Sequence, residues 1–238
     1  CVNLKCKDPS YKDYFYTMMK KALIRSIRGA MDKVENRMVI TFVDKQQEIG
    51  KTRFIKYLNP FGNKYYCDES ILDTQEKDLM QALTKNFIYN VEEIDEMNAK
   101  ELSKFKRMLS KTSVSVRPAY ARHEVEKMRI CTFFASTNNM EFLTDDRNTR
   151  WIPFELDSID YNVYNDIDNR LLWSQIYTWY KAGEICDLTD EEKEMRDLNN
   201  QEFEVRTDEE NFIIKYFEPC LMEDAQAVFV SSSEIKAI

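Results

Sequence analysis

The stretch VDKQQEIGKTRF, residues 43–54, decides the fold expected for this chain. An apolar run rich in β-branched residues, 38–43, leads into it and is typical of a buried strand. The residues that follow, 52–60, have the pattern of a helix that stops at a proline. A strand, a loop that ends in Gly50-Lys51-Thr52 and a helix together form the setting that a phosphate-binding loop requires.

A nucleoside triphosphate needs three things from such a loop: backbone N–H groups around its phosphates, an ammonium on their oxygens and a hydroxyl on magnesium. Lys51 would supply the ammonium and Thr52 the hydroxyl, and the start of the helix adds partial positive charge. The sequence therefore predicts a site for ATP and Mg²⁺. The residues assigned to the nucleotide are Gln47, Ile49, Gly50, Lys51 and Thr52.

The loop departs from the usual pattern at two positions. Lys45 stands where the first glycine is expected, and Glu48 brings a carboxylate that would repel phosphate unless it points away. A chance Gly-Lys-Thr on the surface is the alternative interpretation. The chain has only four glycines, so a glycine directly before Lys-Thr favours a functional loop.

Acidic residues follow a second apolar run, 87–91. Glu92 and Glu93 come directly after this predicted strand, 41 and 42 positions after Lys51 (92 − 51 and 93 − 51). We predict that Glu92 binds magnesium together with Thr52 and that Glu93 polarises the attacking water. Other acids compete for these roles, and a solvated acidic turn is the structural alternative. The competing acids are Asp95 and Glu96.

A third apolar run, residues 129–137, ends directly before Asn138. An amide at the end of a central strand can lie beside the terminal phosphate and position the attacking water, which is the role we predict for Asn138. An asparagine after a strand is also common as ordinary turn chemistry, so the residue alone does not decide between the two.

Predicted strands and helices alternate through the middle of the chain, which indicates an α/β fold with a parallel sheet flanked by helices. Helices are expected over 11–33, 69–85 and 99–111, a strand over 113–120 and a charged connector over 121–128. After about residue 161 the pattern is helical, with capping boxes that begin at Thr189 and Thr207. The expected division is a helical segment (1–35), an ATPase core (36–160), a helical subdomain (161–206) and the start of a winged-helix module (207–238).

Composition excludes several classes of protein. No apolar run approaches the ~20 residues that span a bilayer, so we expect no membrane partner. The net charge of −8 argues against a surface coated with positive charge for nucleic acid, although a local basic patch is compatible with it. The six scattered cysteines and single histidine do not suit a zinc cluster, and reduced thiols in the cytoplasm are expected. Because the chain starts with cysteine, we expect it to be part of a longer protein.

A specific order of motifs carries a family resemblance. Along the chain stand Gly-Lys-Thr, the paired glutamates, VRPAY, FFASTN and EFLTDDRNTRWIPFE. Over roughly residues 35–180 this order resembles the virulence-associated E family, helicase-like ATPases that occur beside primases in phages and mobile elements and are akin to superfamily 3 helicases. Members of the family tend to read QGIGKT where this chain reads QEIGKT, so Glu48 is the departure.

The resemblance implies an AAA+-like ATPase that works as a ring, commonly a hexamer, with a fused or associated primase as partner. Asn138 would be the sensor of the terminal phosphate. An arginine finger would complete the site of the neighbouring subunit; Arg150 is the first choice because Trp151 and Pro153 would fix the backbone beneath it. Arg147 is the second choice, and its alternative role is a local ion pair with the aspartates before it.

The resemblance also implies a DNA-tracking hairpin between VRPAY and the third apolar run. A basic turn suits the phosphate backbone, and an aromatic at its base can stack on nucleotide bases. Glu124 and Glu126 make this segment less basic, and an ordinary charged β-turn is the alternative. The residues assigned to DNA are Arg117, Arg122, His123 and Lys127, with Tyr120 at the base.

The function expected from these residues is that of an ATP-dependent DNA helicase, or a helicase-like ATPase, that moves single-stranded or forked DNA through a ring. Lys45 and Glu48 keep a second possibility open, a nucleotide-dependent DNA-binding scaffold with little turnover. A third, a P-loop kinase for a small molecule, would need a basic lid after the second strand. The order of asparagine and arginines does not suit the kinase.

Overall fold

The computed structural model describes residues 4–46, 48–68, 71, 74–116, 122–144, 148–162 and 167–217. These residues fall into two compact units that divide between Glu204 and Val205. The described part of the second unit contains one α-helix, α7 (Asp208–Tyr216), with Thr207 and Glu210 in the predicted capping box. The first unit is a mixed α/β structure, as the sequence predicts.

A six-stranded sheet forms the centre of the first unit. The strands of the unit are β1 (Leu4–Cys6), β2 (Val39–Val43), β3 (Tyr66–Cys67), β4 (Ile88–Val91), β5 (Ser113–Val116), β6 (Val125–Met128), β7 (Thr132–Thr137) and β8 (Trp151–Ile159). The order in the central sheet is β1-β8-β2-β7-β4-β3, and every neighbouring pair except β1–β8 is parallel. A separate antiparallel ribbon pairs β5 with β6.

Helices cover both faces of this sheet, which is why β2, β4 and β7 are buried along their whole length. The helices of the first unit are α1 (Lys12–Asp32), α2 (Lys51–Leu58), α3 (Glu76–Lys85), α4 (Ala99–Leu109), α5 (Asn169–Lys181) and α6 (Asp190–Gln201). One apolar cluster joins the sheet to α1, α2 and α5, and a second joins it to α3, α4 and the ribbon strand β5.

Buried asparagines attach α6 to the start of β8. Asn199 Nδ2 donates to the Pro153 carbonyl at 2.9 Å, and Asn200 Nδ2 donates to the carbonyls of Asn148 at 2.8 Å and Trp151 at 3.2 Å. The predicted capping box at Thr189 holds the start of the same helix. These bonds tie α6 to the backbone at and just before the start of β8.

Two parts of the sequence-based assignment are wrong, and one strand is missing from it. The connector predicted over 121–128 includes strand β6, which pairs with β5. Residues 151–159 form the longest described strand, although Pro153 and several polar residues obscure its pattern. On one side, β8 is paired with β1 only from Leu156 to Ile159. Pro153 lies outside this paired stretch, so its missing N–H breaks no hydrogen bond to β1. Helix α3 begins at Glu76 rather than at 69.

No helix in the described ranges is both long and apolar enough to cross a bilayer. The predicted strand over 113–120 is described as far as Val116. The predicted division at residues 35, 160 and 206 stays a prediction.

Candidate nucleotide site

The loop between β2 and α2 lies at the carboxyl edge of the parallel strands. Gly50 is the residue before α2 and has a left-handed backbone with φ of 90°, a conformation that glycine adopts without strain. A Cβ on Gly50 would lie 1.3 Å from the Tyr161 hydroxyl oxygen. Both the backbone and the neighbouring tyrosine therefore require glycine at this position.

The two departures in the loop have different structural consequences. Glu48 is exposed and has a φ of 73°, in the left-handed region that disfavours residues with a Cβ. Lys45 is exposed and is not among the described residues with positive φ. A glycine is thus favoured by the backbone at position 48 and is not required at position 45.

Lys51 is buried at the start of α2, with 8% of its surface exposed. Its Nζ donates a 2.6 Å hydrogen bond to Asn138 Oδ1 and lies 4.0 Å from Asp44 Oδ2. Burial lowers the pKa of Lys51 below its ordinary value, and the negative charges of Asp44 and then Asp95 oppose that shift. Oδ2 of Asp44 is itself buried and has no hydrogen-bond partner among the described residues.

Thr52 and Glu92 form the second contact between the loop and the sheet. Thr52 Oγ1 donates to Glu92 Oε1 at 2.7 Å, and Asn90 Nδ2 donates to the same carboxylate oxygen at 3.1 Å. A hydroxyl and a carboxylate are the oxygen ligands that Mg²⁺ prefers. In the described ranges no three His, Cys, Asp or Glu side chains cluster as a metal site, so a magnesium here would also need phosphate and water oxygens.

Glu93 and Asp95, two of the three acids that follow Glu92, differ in their surroundings. Glu93 is exposed, has a left-handed backbone with φ of 51° and begins a short 3-10 turn, Ile94–Glu96. Non-glycine residues in this region are uncommon and cluster at functional sites. Asp95 instead accepts a hydrogen bond from Thr137 Oγ1 at the end of β7. Of Glu93 and Asp95, Glu93 is therefore the acid that faces the cleft.

A cleft of about 440 Å³ lies between the loop and the ends of β4 and β7. It brings together most of the predicted site: Ile49, Gly50, Lys51, Thr52, Glu92, Glu93 and Asn138, joined by Glu48, Arg53, Lys56, Ser136 and Thr137. A volume of this size is in the range of small-molecule sites. Three candidates lie outside the described residues: Gln47, Arg117 and Arg147, as does Tyr120.

Arg150 lies at the opposite edge of the sheet from this cleft. It precedes β8, whose register places Trp151 beside Val39 and Glu155 beside Val43. Arg150 is therefore five residues (155 − 150), about 17 Å along the strand, from the edge that carries the loop. Trp151 fixes this end through ring contacts with Phe105 and Phe142. Arg150 therefore does not take part in the cleft of its own chain.

Of the other predicted DNA-binding residues, Lys127 lies in β6, and Arg122 and His123 lie in the bend that precedes this strand. Arg122, His123 and Lys127 are exposed, and Lys127 stands opposite Val114 across the ribbon. Glu124 and Glu126 accept hydrogen bonds from Ser115 and Ser113. These serine bonds hold both carboxylates beside β5 and make the acids part of the ribbon's own structure.

Besides the unpredicted residues that line the cleft, sequence reasoning missed two that contact the loop from behind, Asp44 and Tyr161. Asp44 comes directly after a buried strand, which is a usable signal for an acid at the sheet edge. Tyr161 has no local signal, because its hydroxyl reaches the Ile49 carbonyl at 2.8 Å across 112 positions (161 − 49).

The fold and the loop define an α/β protein with a glycine-lysine-threonine turn at the carboxyl edge of a mostly parallel sheet. The family model of the virulence-associated protein E-like domain matches residues 3–205, and the chain belongs to this family. The match is wider than the stretch of 35–180 expected from the motifs. No curated protein matches the sequence.

Among solved structures, the chain is similar to the apo structure of the NrS-1 C-terminal region (305–718), with 15% identity and a TM-score of 0.49. That match covers 88% of this chain and 49% of that one. It is also similar to the A form apo structure of the same region, with 14% identity, a TM-score of 0.47 and coverage of 84% and 43%. The chain spans about half the length, or less, of these structures.

Proposed function

We propose that this chain is a P-loop ATPase of the AAA+ type that acts on DNA in the replication of a phage or mobile element. The observation that carries the proposal is the convergence of three polar groups, from the ends of two strands, on one helix start. Lys51 contacts Asn138, Thr52 contacts Glu92, and Glu93 faces the same cleft. Family membership supports the replication context.

Each of these residues has one task in the proposed reaction. Lys51 exchanges its bond to Asn138 for phosphate oxygens, and Thr52 exchanges its bond to Glu92 for the metal. Bound Mg²⁺ would neutralise phosphate charge, with Thr52 and Glu92 as its protein ligands. Glu93 accepts the proton of the attacking water, and Asn138 orients that water once Lys51 has released it.

The position of Arg150 supports action in a ring. It lies at the far edge of the sheet from Lys51 and so is suited to reach the nucleotide of a neighbouring copy rather than its own. An arginine supplied by another subunit stabilises transition-state charge in this class of reaction and makes turnover depend on assembly. We propose Arg150 as this finger, in a ring that is commonly a hexamer, and keep Arg147 as the second candidate.

The ribbon is the proposed contact with single-stranded or forked DNA. Arg122, His123 and Lys127 are exposed on it, in a chain whose overall charge is −8. Binding would thus be local, with phosphates as the main partners and a strong dependence on salt. A fused or associated primase is the partner that family membership suggests.

The test is a comparison of nucleotide binding and turnover in the wild-type chain and in two variants. Lys51→Ala should lose most affinity for Mg-ATP, because it removes the ammonium from the cleft. Glu93→Gln should keep affinity within a few-fold and lose turnover by about 100-fold or more. Glu96→Gln is the matched control, since Glu96 is one of the neighbouring acids and does not line the cleft.

The outcomes separate the candidate functions. ATP turnover that rises with single-stranded DNA in an assembled particle supports the helicase-like ATPase. Binding and assembly without turnover would favour the scaffold, for which the strained Glu48 in the loop is the structural argument. Full affinity and turnover in Lys51→Ala would overturn the proposal.

A further inference from the structure

A second cavity, of about 460 Å³, lies at the other end of α2. It is walled by the end of α2, the turn after it and the start of α5. Its lining residues are Arg53, Lys56, Tyr57, Asn59, Pro60, Gly62, Asn63, Asp168, Asn169 and Arg170. Arg53 and Lys56 also line the phosphate cleft, so the two cavities lie side by side along the exposed side of α2.

The walls of this cavity are held by hydrogen bonds that cross between its elements. Trp173 Nε1 donates to the Leu58 carbonyl at 2.7 Å and Asn169 Nδ2 to the Asn59 carbonyl at 3.0 Å, which fixes α5 against the end of α2. Asn59 Nδ2 donates to the carbonyls of Gly62 and Lys64 at 2.7 and 2.6 Å and holds the turn. The walls of the cavity are therefore fixed by hydrogen bonds within the protein itself.

Arg53 is held in a defined orientation where the two cavities meet. Its guanidinium carbon lies 4.8 Å from the centre of the Tyr161 ring, and the Tyr161 hydroxyl is fixed on the Ile49 carbonyl. Arg53 is exposed, so the guanidinium face opposite the tyrosine is accessible from the cleft. Guanidinium planes are surfaces on which nucleobases stack.

The charges and dimensions suit the nucleoside end of a nucleotide. Three cations, Arg53, Lys56 and Arg170, and one carboxylate, Asp168, line the second cavity, a balance of +2 (3 − 1). Helix α2 rises about 1.5 Å per residue, so Lys56 lies about 6 Å beyond Thr52. A sugar and base attached to phosphates at the start of α2 would reach this region.

We infer that the second cavity binds the sugar and base of the nucleotide, with Arg53 as a stacking platform positioned by Tyr161. This inference rests on the proposed nucleotide site and adds the part that distinguishes a nucleotide from bare polyphosphate. The phosphate loop contributes to the binding of both the nucleotide and bare polyphosphate. Arg53 also lines the phosphate cleft, so its positive charge can serve both ligands, whereas its planar face and the second cavity contribute only to the ligand that carries a nucleoside.

The experiment measures the dissociation constants of Mg-ATP and Mg-tripolyphosphate for the same proteins by calorimetry. Wild type should bind Mg-ATP at least tenfold more tightly than tripolyphosphate. Arg53→Lys keeps the positive charge and loses the planar face, so affinity for Mg-ATP should fall about three- to tenfold while that for tripolyphosphate changes less than twofold. Arg107→Lys, an exposed arginine on α4, should change neither value.

Variants of Tyr161 test the platform from the other side. Tyr161→Phe keeps the ring beneath Arg53 and should keep the preference for Mg-ATP over tripolyphosphate. Tyr161→Leu removes the ring and should reduce that preference as Arg53→Lys does, in protein whose thermal unfolding shows that it is folded.

Equal wild-type affinity for the two ligands, or parallel losses of both in Arg53→Lys, would overturn the nucleoside subsite and leave the phosphate site standing. Failure of wild type to bind either ligand would overturn the proposed function as well as the subsite.

Discussion

Lys51 Nζ donates a 2.6 Å hydrogen bond to Oδ1 of Asn138, which lies 87 positions later in the chain. The side chain predicted to bind phosphate is thus paired with the side chain predicted to sense it. Thr52 and Glu92 form a corresponding pair at 2.7 Å. Polar groups of the site are thus paired with one another, and a bound nucleotide would exchange these bonds for its own.

Replacement of Asn138 separates binding from turnover. In Asn138→Ala the ammonium of Lys51 is released for phosphate, so affinity for Mg-ATP should stay within about threefold of wild type. Turnover should fall about 100-fold, which is the typical effect of removing one preorganised polar group from a reacting centre. Calorimetry and a steady-state phosphate-release assay measure the two quantities.

The control for this variant is Asn139→Ala. Asn139 belongs to the turn after β7, where its side chain accepts a 3.0 Å hydrogen bond from the Glu141 amide, and it does not line the cleft. It should leave turnover within about twofold. A tenfold loss of Mg-ATP affinity in Asn138→Ala would show that Asn138 binds the ligand and does not act in the reaction alone.

The left-handed backbone of Glu48 predicts a gain in stability on substitution by glycine. A residue with a Cβ in the left-handed region destabilises the fold by roughly 1–2 kcal/mol, and substitution by glycine removes this cost. The greater freedom of glycine in the unfolded chain offsets about 0.5–1 kcal/mol of the gain. Glu48→Gly should therefore raise the free energy of unfolding by about 0.5–1 kcal/mol. Chemical denaturation measures this difference.

Lys45→Gly is the matched control in the same loop. Position 45 has no left-handed backbone to relieve, so glycine there should bring no gain and a loss of up to about 1 kcal/mol. Equal effects of the two substitutions would contradict the assignment of strain to position 48.

The central strands could be predicted because both of their faces are buried. The runs that became β2, β4 and β7 are apolar, and the polar residues directly after them marked the carboxyl edge of the sheet. Strand β6 escaped prediction because Val125–Lys127 are exposed and lack an apolar face. Strand β8 was not predicted because it contains Pro153 and several polar residues. The structure accommodates them through strand pairing and through contacts with α6, a helix far away in the sequence.

The residues of the site could likewise be predicted only where local sequence carries the signal. Lys51, Thr52 and Glu92 follow strand ends, where short-range pattern carries information about the sheet edge. Tyr161 meets Gly50 only because β8 returns beside β2, and no feature near residue 161 reports that contact. The sequence also could not show that Glu48 is left-handed, since that depends on how the whole loop closes.

An ionic cluster between α1 and the segment before α6 predicts a dependence of stability on pH. Asp187 pairs with Arg25 and Arg28, and the hydrogen bond from Arg25 lowers the pKa of Asp187 below its ordinary value. A lowered pKa in the folded state means that the contribution is present above pH 4 and is lost as the pH falls below it. Asp187→Asn should reduce the free energy of unfolding by about 0.5–1 kcal/mol at pH 7.

The same difference should shrink at pH 3 and in 1 M salt, because protonation removes the charge and salt screens a partly exposed pair. Chemical denaturation of both proteins under the three conditions measures it. A difference that is unchanged at pH 3 would show that Asp187 acts through packing or neutral hydrogen bonds and not through its charge.

The β5–β6 ribbon gives a prediction on DNA. Arg122→Ala combined with Lys127→Ala removes two exposed cations, so binding of single-stranded DNA should weaken by a similar factor for every sequence. If both side chains contact phosphates, the slope of log affinity against log salt should decrease in magnitude by about 1.4, two contacts at about 0.7 each. Fluorescence anisotropy with oligonucleotides at several salt concentrations measures both effects.

The matched control removes two exposed lysines from the other side of the sheet. Lys33 and Lys181 follow or end α1 and α5, which pack in the apolar cluster opposite the one that contains β5. Lys33→Ala with Lys181→Ala makes the same change in net charge, so a general electrostatic effect would appear equally in both double variants. A salt slope that falls only in the ribbon variant assigns the DNA contact to the ribbon, and an equal fall in both would refute it.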